Sequence, residues 1–334
     1  MKKRIFALFI GLVLLAVCLS GCSLGTIRIS GGAKAGVYTA LLNELTTVWE
    51  ANSKLKFGEP ASTSGSYGNL TSINKGSCDL ALCTDDYLVW SRQGRGAMAN
   101  TRANFAGLLC GLYTDYLHIL VRADSDIQSI DDLRGKTIVF DEGETAAYFN
   151  SIEILKAAGM STRAGTADVT VLRQNIYDGI NSVMDGEVSA VFGTASLGNE
   201  AVQSAILDED APLRLLSVDK KYIDALLTDP NTTYFTSSHL TDPYEGVKTV
   251  DMLGVKTVLI VPYKMKDARV KNLLATLFDN LDQLSGEHRS DEISLENAVD
   301  GLDLRDLHPA ALEFFVERGA IAEGSVTLNP PKLS

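Results

Sequence analysis

Residues 129–159 read SIDDLRGKTIVFDEGETAAYFNSIEILKAAG, and this stretch decides the fold. Ser129-Ile130-Asp131-Asp132 has the spacing of a capping box, and Arg134-Gly135 ends that helical turn. Lys136–Phe140 is an apolar strand. Asp141-Glu142-Gly143-Glu144-Thr145-Ala146-Ala147 is a small-residue turn, and Tyr148–Ala158 continues as a helix closed by Gly159. A strand, a tight turn and a helix within so short a stretch is the repeating unit of an α/β protein.

The unit recurs in both directions. Upstream, Thr26–Ser30 runs as a strand into Gly31–Gly36, and Tyr38, Leu41, Leu42, Leu45 and Val48 follow at helical spacing. Ser62–Ser66 leads into a short helix from Tyr67 to Gly76. Asp79–Cys83 is a buried strand, and Thr84-Asp85-Asp86 opens a helix. Ala106–Tyr113 and Leu117–Val121 are two further apolar runs. Downstream, Tyr177–Met184 is a helix, and Ala190–Phe192, Leu213–Val218 and Lys256–Val261 are strands. Asp267–Leu284 and Pro309–Arg318 are amphipathic helices. This alternation predicts helices on both faces of largely parallel sheets.

Length and charge narrow the function. The 334 residues suit two domains, and no low-complexity linker separates them, so the chain is expected to cross between them more than once. With 46% hydrophobic residues a full core is available. A net charge of −12 argues against a nucleic-acid partner, which needs a basic footprint.

The N-terminus supplies an address. Lys2, Lys3 and Arg4 precede an apolar run from Ile5 to Leu19, about 22 Å as a helix and too short to span a bilayer. Leu19-Ser20-Gly21-Cys22 after it resembles a bacterial lipobox, with residues 1–21 as signal peptide and Cys22 as the lipidated residue. Two acyl chains suffice for stable anchoring, which places the body on the outer face of the cell membrane. Cys22→Ala is then expected to release the protein or leave it unprocessed. Cys78, Cys83 and Cys110 remain, read as buried free thiols rather than a bridge.

No catalytic constellation emerges. His118 lies in an apolar run, which suits a satisfied core or hinge residue, and no nucleophile has a base placed beside it. The turns at Gly36–Tyr38, Gly65–Tyr67 and Thr145–Ala147 share one design, small residues at a helix N-terminus where N–H groups meet an anion. Three such turns in one chain point to a shared small-ligand cleft.

The ordered set of motifs resembles the TAXI family, the solute-binding subunits of one class of TRAP transporter. The pieces are Gly36-Val37-Tyr38, Gly65-Ser66-Tyr67-Gly68-Asn69-Leu70 and Gly76-Ser77-Cys78-Asp79-Leu80-Ala81-Leu82 leading to Asp86. Val121-Arg122-Ala123-Asp124-Ser125, Asp132-Leu133-Arg134-Gly135-Lys136, Leu155-Lys156-Ala157-Ala158-Gly159 and Leu307-His308-Pro309-Ala310 follow. Together they cover about Ile27 to Gly319. Ala33, Lys34 and Ala35 stand where the family is richer in glycine, and Asp85-Asp86 replaces a Ser-Asp pair. Thr145-Ala146-Ala147 and Ser196-Leu197-Gly198 depart from a Ser-Gly-Thr and a Gly-x-Pro turn.

The resemblance implies a two-lobed type II periplasmic-binding-protein-like fold, each lobe a mixed sheet flanked by helices, with the ligand in the hinge cleft. Residues 27–120 plus 250–334 form the first lobe and 121–249 the second. The ligand-binding set falls on Lys34, Gly36, Val37, Tyr38, Gly65, Ser66, Tyr67, Asp85, Asp86, Tyr113, Glu144, Thr145, Ala146 and Ser196. The implied function is capture of a small polar carboxylate, a dicarboxylate or an amino-acid-like molecule, for membrane-embedded TRAP permease subunits. A monomer without cofactor or metal is expected. A ligand-sensing lipoprotein with a receptor partner and a lipid-anchored hydrolase or lyase are the rivals. Asp85, Glu142 and Glu144 put negative charge near the turns, which favours a ligand carrying an amine beside its carboxylate. If the Thr145 hydroxyl meets that ligand, Thr145→Val costs about 1–2 kcal/mol of binding.

Overall fold

The computed structural model describes residues 25–99, 101, 105–143, 145–328 and 330. Cys22 and Glu144 therefore lie outside the described residues. The first elements are β1 (Ile29–Gly32), α1 (Val37–Asn52), β2 (Ala61–Ser62), α2 (Ser66–Asn74), β3 (Leu80–Thr84), α3 (Asp85–Gln93) and the long β4 (Ala106–Arg122). Next come β5 (Thr137–Phe140), α4 (Ala146–Ala157), β6 (Thr170–Arg173), α5 (Ile176–Met184), β7 (Ala190–Ala195), α6 (Glu200–Ile206), β8 (Leu213–Leu215) and α7 (Lys220–Thr228). The hairpin β9 (Phe235–Tyr244) and β10 (Val247–Pro262) returns the chain to α8 (Asp267–Phe278) and α9 (Pro309–Glu317).

Ten strands form one hydrogen-bonded sheet in the order β2-β1-β3-β10-β4-β7-β5-β6, with β8 on β4 and β9 on β10. The sheet is mixed: β1 runs parallel to β2 and β3, and β5 runs parallel to β6 and β7. Two long antiparallel strands bind these halves together. β4 pairs with β10 from Ala106 to Tyr116, then with β7 from Tyr116 to Val121. β10 pairs with β9 over Val247–Val255 and with β4 and β3 beyond Gly254. The crossing points are thus Tyr116 and Gly254. A side chain at Gly254 would drive its Cβ into Thr114 Cγ2 and put it 3.1 Å from Asp115 O. The two strands approach too closely there for any Cβ without a shift.

Several sequence expectations change. Ala106–Tyr113 and Leu117–Val121 are one strand, because the polar Thr114-Asp115-Tyr116 between them is the half-buried crossing rather than a turn. β9 has the polar sequence FTSSHLTDPY and carries no apolar signal; its partner β10 supplies the pairing. The helix expected to reach Leu284 ends at Phe278, with Asp279 at its C-cap and a 3-10 turn at Leu281–Gln283. β8 is only three residues long. Cys78, Cys83 and Cys110, by contrast, are buried and free as the sequence reading expects.

One apolar core fills the space from α1 and α8 through α3 to β5, α4 and Tyr234, and a smaller one lies under α5 and α6. Trp49 ties α1 to α8, since its indole N–H donates to Leu273 O at 2.8 Å. Among the described residues no helix is long and apolar enough to cross a membrane.

Candidate functional site

In a parallel α/β unit a ligand finds free N–H groups where strands end and helices begin. β1, β3 and β5 end at such points: β3 pairs directly with β10, β1 lies one strand beyond β3, and β5 lies on the other side of β4, with β7 between. On the first side, α1 starts after Gly36 and α2 after Gly65. Gly65 has φ +76°, a left-handed conformation that glycine adopts without strain, and Ser66 begins the helix directly after it. Ser66 Oγ accepts from Thr84 N at 3.1 Å and lies 3.4 Å from Thr84 Oγ1. Tyr38 OH lies 3.5 Å from both Ser66 Oγ and Thr257 Oγ1. Thr257 is opposite Tyr113 in register. Burial, followed by the neighbouring Tyr113, pushes the Tyr38 hydroxyl well above its usual range, so it stays a neutral donor and acceptor.

A cation stands behind this hydroxyl group. The Arg289 guanidinium lies 4.1 Å over the Tyr113 ring, donates to Thr114 O at 2.6 Å, and pairs with Asp115 and with Glu292 at 2.6 and 3.1 Å. It arrives on a loop where His288 and Arg289 both have positive φ, 52° and 66°, which is costly for non-glycine residues. Burial raises the Asp115 pKa, and the Arg289 charge opposes the rise.

The two predicted aspartates are both buried, and Asp86 is held by the Thr84 hydroxyl of this group. Asp86 is fully buried; its Oδ1 accepts from Thr84 Oγ1 at 2.5 Å and Tyr87 N at 2.7 Å. Its Oδ2 accepts from Asn150 Nδ2 at 2.8 Å, a bond from the start of α3 to the middle of α4. Burial lifts Asp86 to a pKa of about 6. Asp85 is also buried, with Oδ2 unpartnered. Burial and the nearby Asp306 and Asp303 push its pKa well up, with Arg92 opposing. Lys34 is exposed, and Val37 and Tyr67 are 49% and 41% exposed. Tyr67 OH lies 3.1 Å from Thr101 Oγ1.

On the second side Thr145 caps α4, accepting from Tyr148 N at 3.3 Å, with Ala146 half-buried as the first helical residue. Its hydroxyl donates to Asp141 Oδ2 at 2.5 Å, while Asp141 Oδ1 accepts from Glu142 N at 2.9 Å. The proton expected for a ligand is therefore given to Asp141, which directly follows β5 and adds, after burial and Asp86, to the raised pKa of Tyr87. Among the described residues no basic side chain pairs with the Asp141 carboxylate. Ser196 meets the crossing through its carbonyl, which accepts from Tyr244 OH at 3.2 Å. Tyr244 OH is also 2.7 Å from His118 Nε2, and His118 Nδ1 is 2.9 Å from Tyr116 O. Burial lowers the His118 pKa to about 4, so the ring is neutral at pH 7.

The structure thus gathers Tyr38, Ser66 and Tyr113 with Thr84, Thr257, Asp115 and Arg289 on the first side, and on the second side it joins Thr145 to Asp141, whose carbonyl accepts from Arg173 Nε at 2.6 Å. Arg289 sits in the polar run SGEHRSDE, which offers no motif, and Thr257 lies inside an apolar strand. Strand pairing reveals Thr257, opposite Tyr113, and only tertiary packing brings in Arg289. Among the described residues no group of His, Cys, Asp or Glu side chains could hold a metal ion.

Two half-sheets joined by two crossing strands, with hydroxyls at the strand ends, define a two-lobed periplasmic-binding-protein fold. Solved structures agree. XAC2383 from Xanthomonas citri bound to ATP matches with TM-score 0.55 at 14% identity, covering 89% of this chain and 100% of that one. A putative sulfonate-binding SsuA from Methylobacillus flagellatus KT matches with TM-score 0.55 at 14% identity, over 93% and 99%. A TctC solute-binding protein from Polaromonas gives 0.53 at 14%, over 82% and 90%. The family model that matches residues 29–319 is the NMT1-like family, and the chain belongs to it.

Proposed function

We propose that this protein is an extracytoplasmic solute-binding lipoprotein that hands a small polar carboxylate to TRAP-type permease subunits. The observation that carries the binding role is the hydroxyl group of Tyr38, Ser66, Thr84 and Thr257 at the crossing of β4 and β10. Hydroxyls give and accept hydrogen bonds without the desolvation cost of a charge, which suits reversible capture. The lobes are taken as 27–120 with 250–334, and 121–249. The TAXI assignment rests on the ordered motifs quoted above, and the lipid anchor on the Leu19–Cys22 motif.

Charge favours the amino-acid-like ligand over a dicarboxylate. Both arginines beside the cleft are engaged, Arg289 with Asp115 and Glu292, Arg173 with main-chain carbonyls. The Asp141 carboxylate remains without a basic partner among the described residues. A ligand that carries an ammonium group beside its carboxylates offsets it, whereas a dicarboxylate without one only adds repulsion. Mass spectrometry of what residues 23–334 retain on native purification, followed by calorimetry with L-glutamate and glutarate, tests this. L-Glutamate is expected to bind the tighter; retention of a purely apolar molecule refutes the carboxylate assignment, and turnover of the retained molecule refutes a pure binder.

A further inference from the structure

We propose that Arg173, at the end of β6, is the positioning residue of the second-lobe ligand turn, a role that rests on the solute-binding reading above. Its Nε donates to Asp141 O at 2.6 Å, and its Nη2 to Gly143 O at 2.5 Å and Glu142 O at 3.2 Å. Three successive carbonyls therefore converge on one guanidinium. The same guanidinium lies 3.7 Å over the Tyr148 ring, and Tyr148 sits edge-on to Phe140 and Phe149. Arg173 is thereby seated on aromatic residues of β5 and α4, the elements the turn connects.

The geometry has a consequence for the opposite side of the turn. In a trans peptide the N–H points away from the preceding C=O. With the Asp141 and Glu142 carbonyls on Arg173, the N–H groups of Glu142 and Gly143 face away from it. Glu142 N meets Asp141 Oδ1 there, and Thr145 Oγ1 meets Asp141 Oδ2. Arg173 thus fixes the peptide planes, and the planes fix the Asp141 carboxylate. A planar fork can reach three carbonyls, whereas a lysine ammonium is a single point on a flexible stem.

The test compares wild-type protein, Arg173→Gln and Arg173→Lys by amide hydrogen exchange, with L-glutamate and glutarate as probes. In both variants the amides of 141–143 and 145–147, Glu142 above all, are expected to exchange about tenfold faster, while the rest of the second lobe is unchanged. L-Glutamate affinity is expected to fall about tenfold with the melting temperature held. Unchanged exchange at 141–143 and 145–147 overturns the proposal, as does a rise spread over the whole lobe, which marks a general structural role. Full recovery by Arg173→Lys overturns the fork geometry. Should neither acid bind the wild-type protein, the carboxylate reading fails, and the exchange data alone decide Arg173.

Discussion

Asp86→Asn should remove a pH dependence of stability without touching ligand affinity. Asp86 is 0% exposed, and burial raises its carboxyl from 3.8 to about 6. The groups that bear on it are Asp85, Asp115, Cys83, Tyr87 and Tyr234, all acidic, with Thr84, Tyr87 N and Asn150 as hydrogen-bond donors. A folded pKa above the unfolded one means the stabilisation is complete below about pH 4 and is lost as pH rises through about 6. The shift corresponds to about 3 kcal/mol between those limits. An asparagine side chain carries no charge to desolvate. Asn150 Oδ1 is buried without a partner, and turning that amide lets it accept from the amide introduced at position 86. Rearranging these bonds costs about 1 kcal/mol, leaving a net gain of about 2 kcal/mol at pH 8 and a small loss at pH 4. Asp306, also raised to about 6 by burial, titrates in the same window, so the difference between variant and wild type is the quantity to read. Urea unfolding of residues 23–334 at pH 4, 6 and 8 measures it. Parallel stability profiles for the two proteins would refute the reasoning.

Gly254→Ala should destabilise the protein by about 2 kcal/mol, because its Cβ collides with Thr114 Cγ2; adding Thr114→Ser, which removes that carbon, should recover at least part of the loss in urea unfolding. Thr257→Val deletes the hydroxyl nearest Tyr38 OH on β10 and should weaken L-glutamate binding about tenfold in calorimetry; an unchanged affinity would take Thr257 out of the site. Thr145→Val should cost about 1 kcal/mol of stability through the lost cap, and it should weaken binding only by freeing Asp141. If Asp141→Asn already abolishes preference for L-glutamate over glutarate, adding Thr145→Val should leave that preference unchanged.

The elements that follow a local rule were legible in the sequence. Capping at Ser129–Asp132, strand-turn-helix at 136–158 and the glycine-led starts of α1 and α2 all depend on neighbours within a few residues. What was not legible depends on pairing across the chain. β9 is a strand because β10 lies beside it, and Arg289 reaches Thr114 O from 175 positions away. Asp85 and Asp86 read as charges beside a turn, yet the helix they open carries both side chains into buried surroundings. Sequence shows that a carboxylate is present; only packing shows that it is buried.

Those surroundings bear on how the cleft can move. Trp90 of α3 stands edge-on to Phe149 of α4 and to Tyr234, each with ring centres 5.5 Å apart, and both Trp90 and Tyr234 are buried. Gln93 Nε2 donates to Pro230 O at 3.2 Å, and Arg95 pairs with Glu153 on the same seam. Parting α3 from α4 would expose an aromatic surface of about 200 Å² per large ring, costing about 5 kcal/mol each. A small ligand bound at micromolar affinity supplies about 8 kcal/mol in total, too little to open the seam and still bind well. If the proposed lobes rotate on binding, the rotation is expected to pivot about this seam, bending β4 and β10 near Tyr116 and Gly254 where their partners change. The Asp86–Asn150 bond lies inside the seam and survives such a rotation. This is why Asp86→Asn is expected to register in unfolding and not in calorimetry.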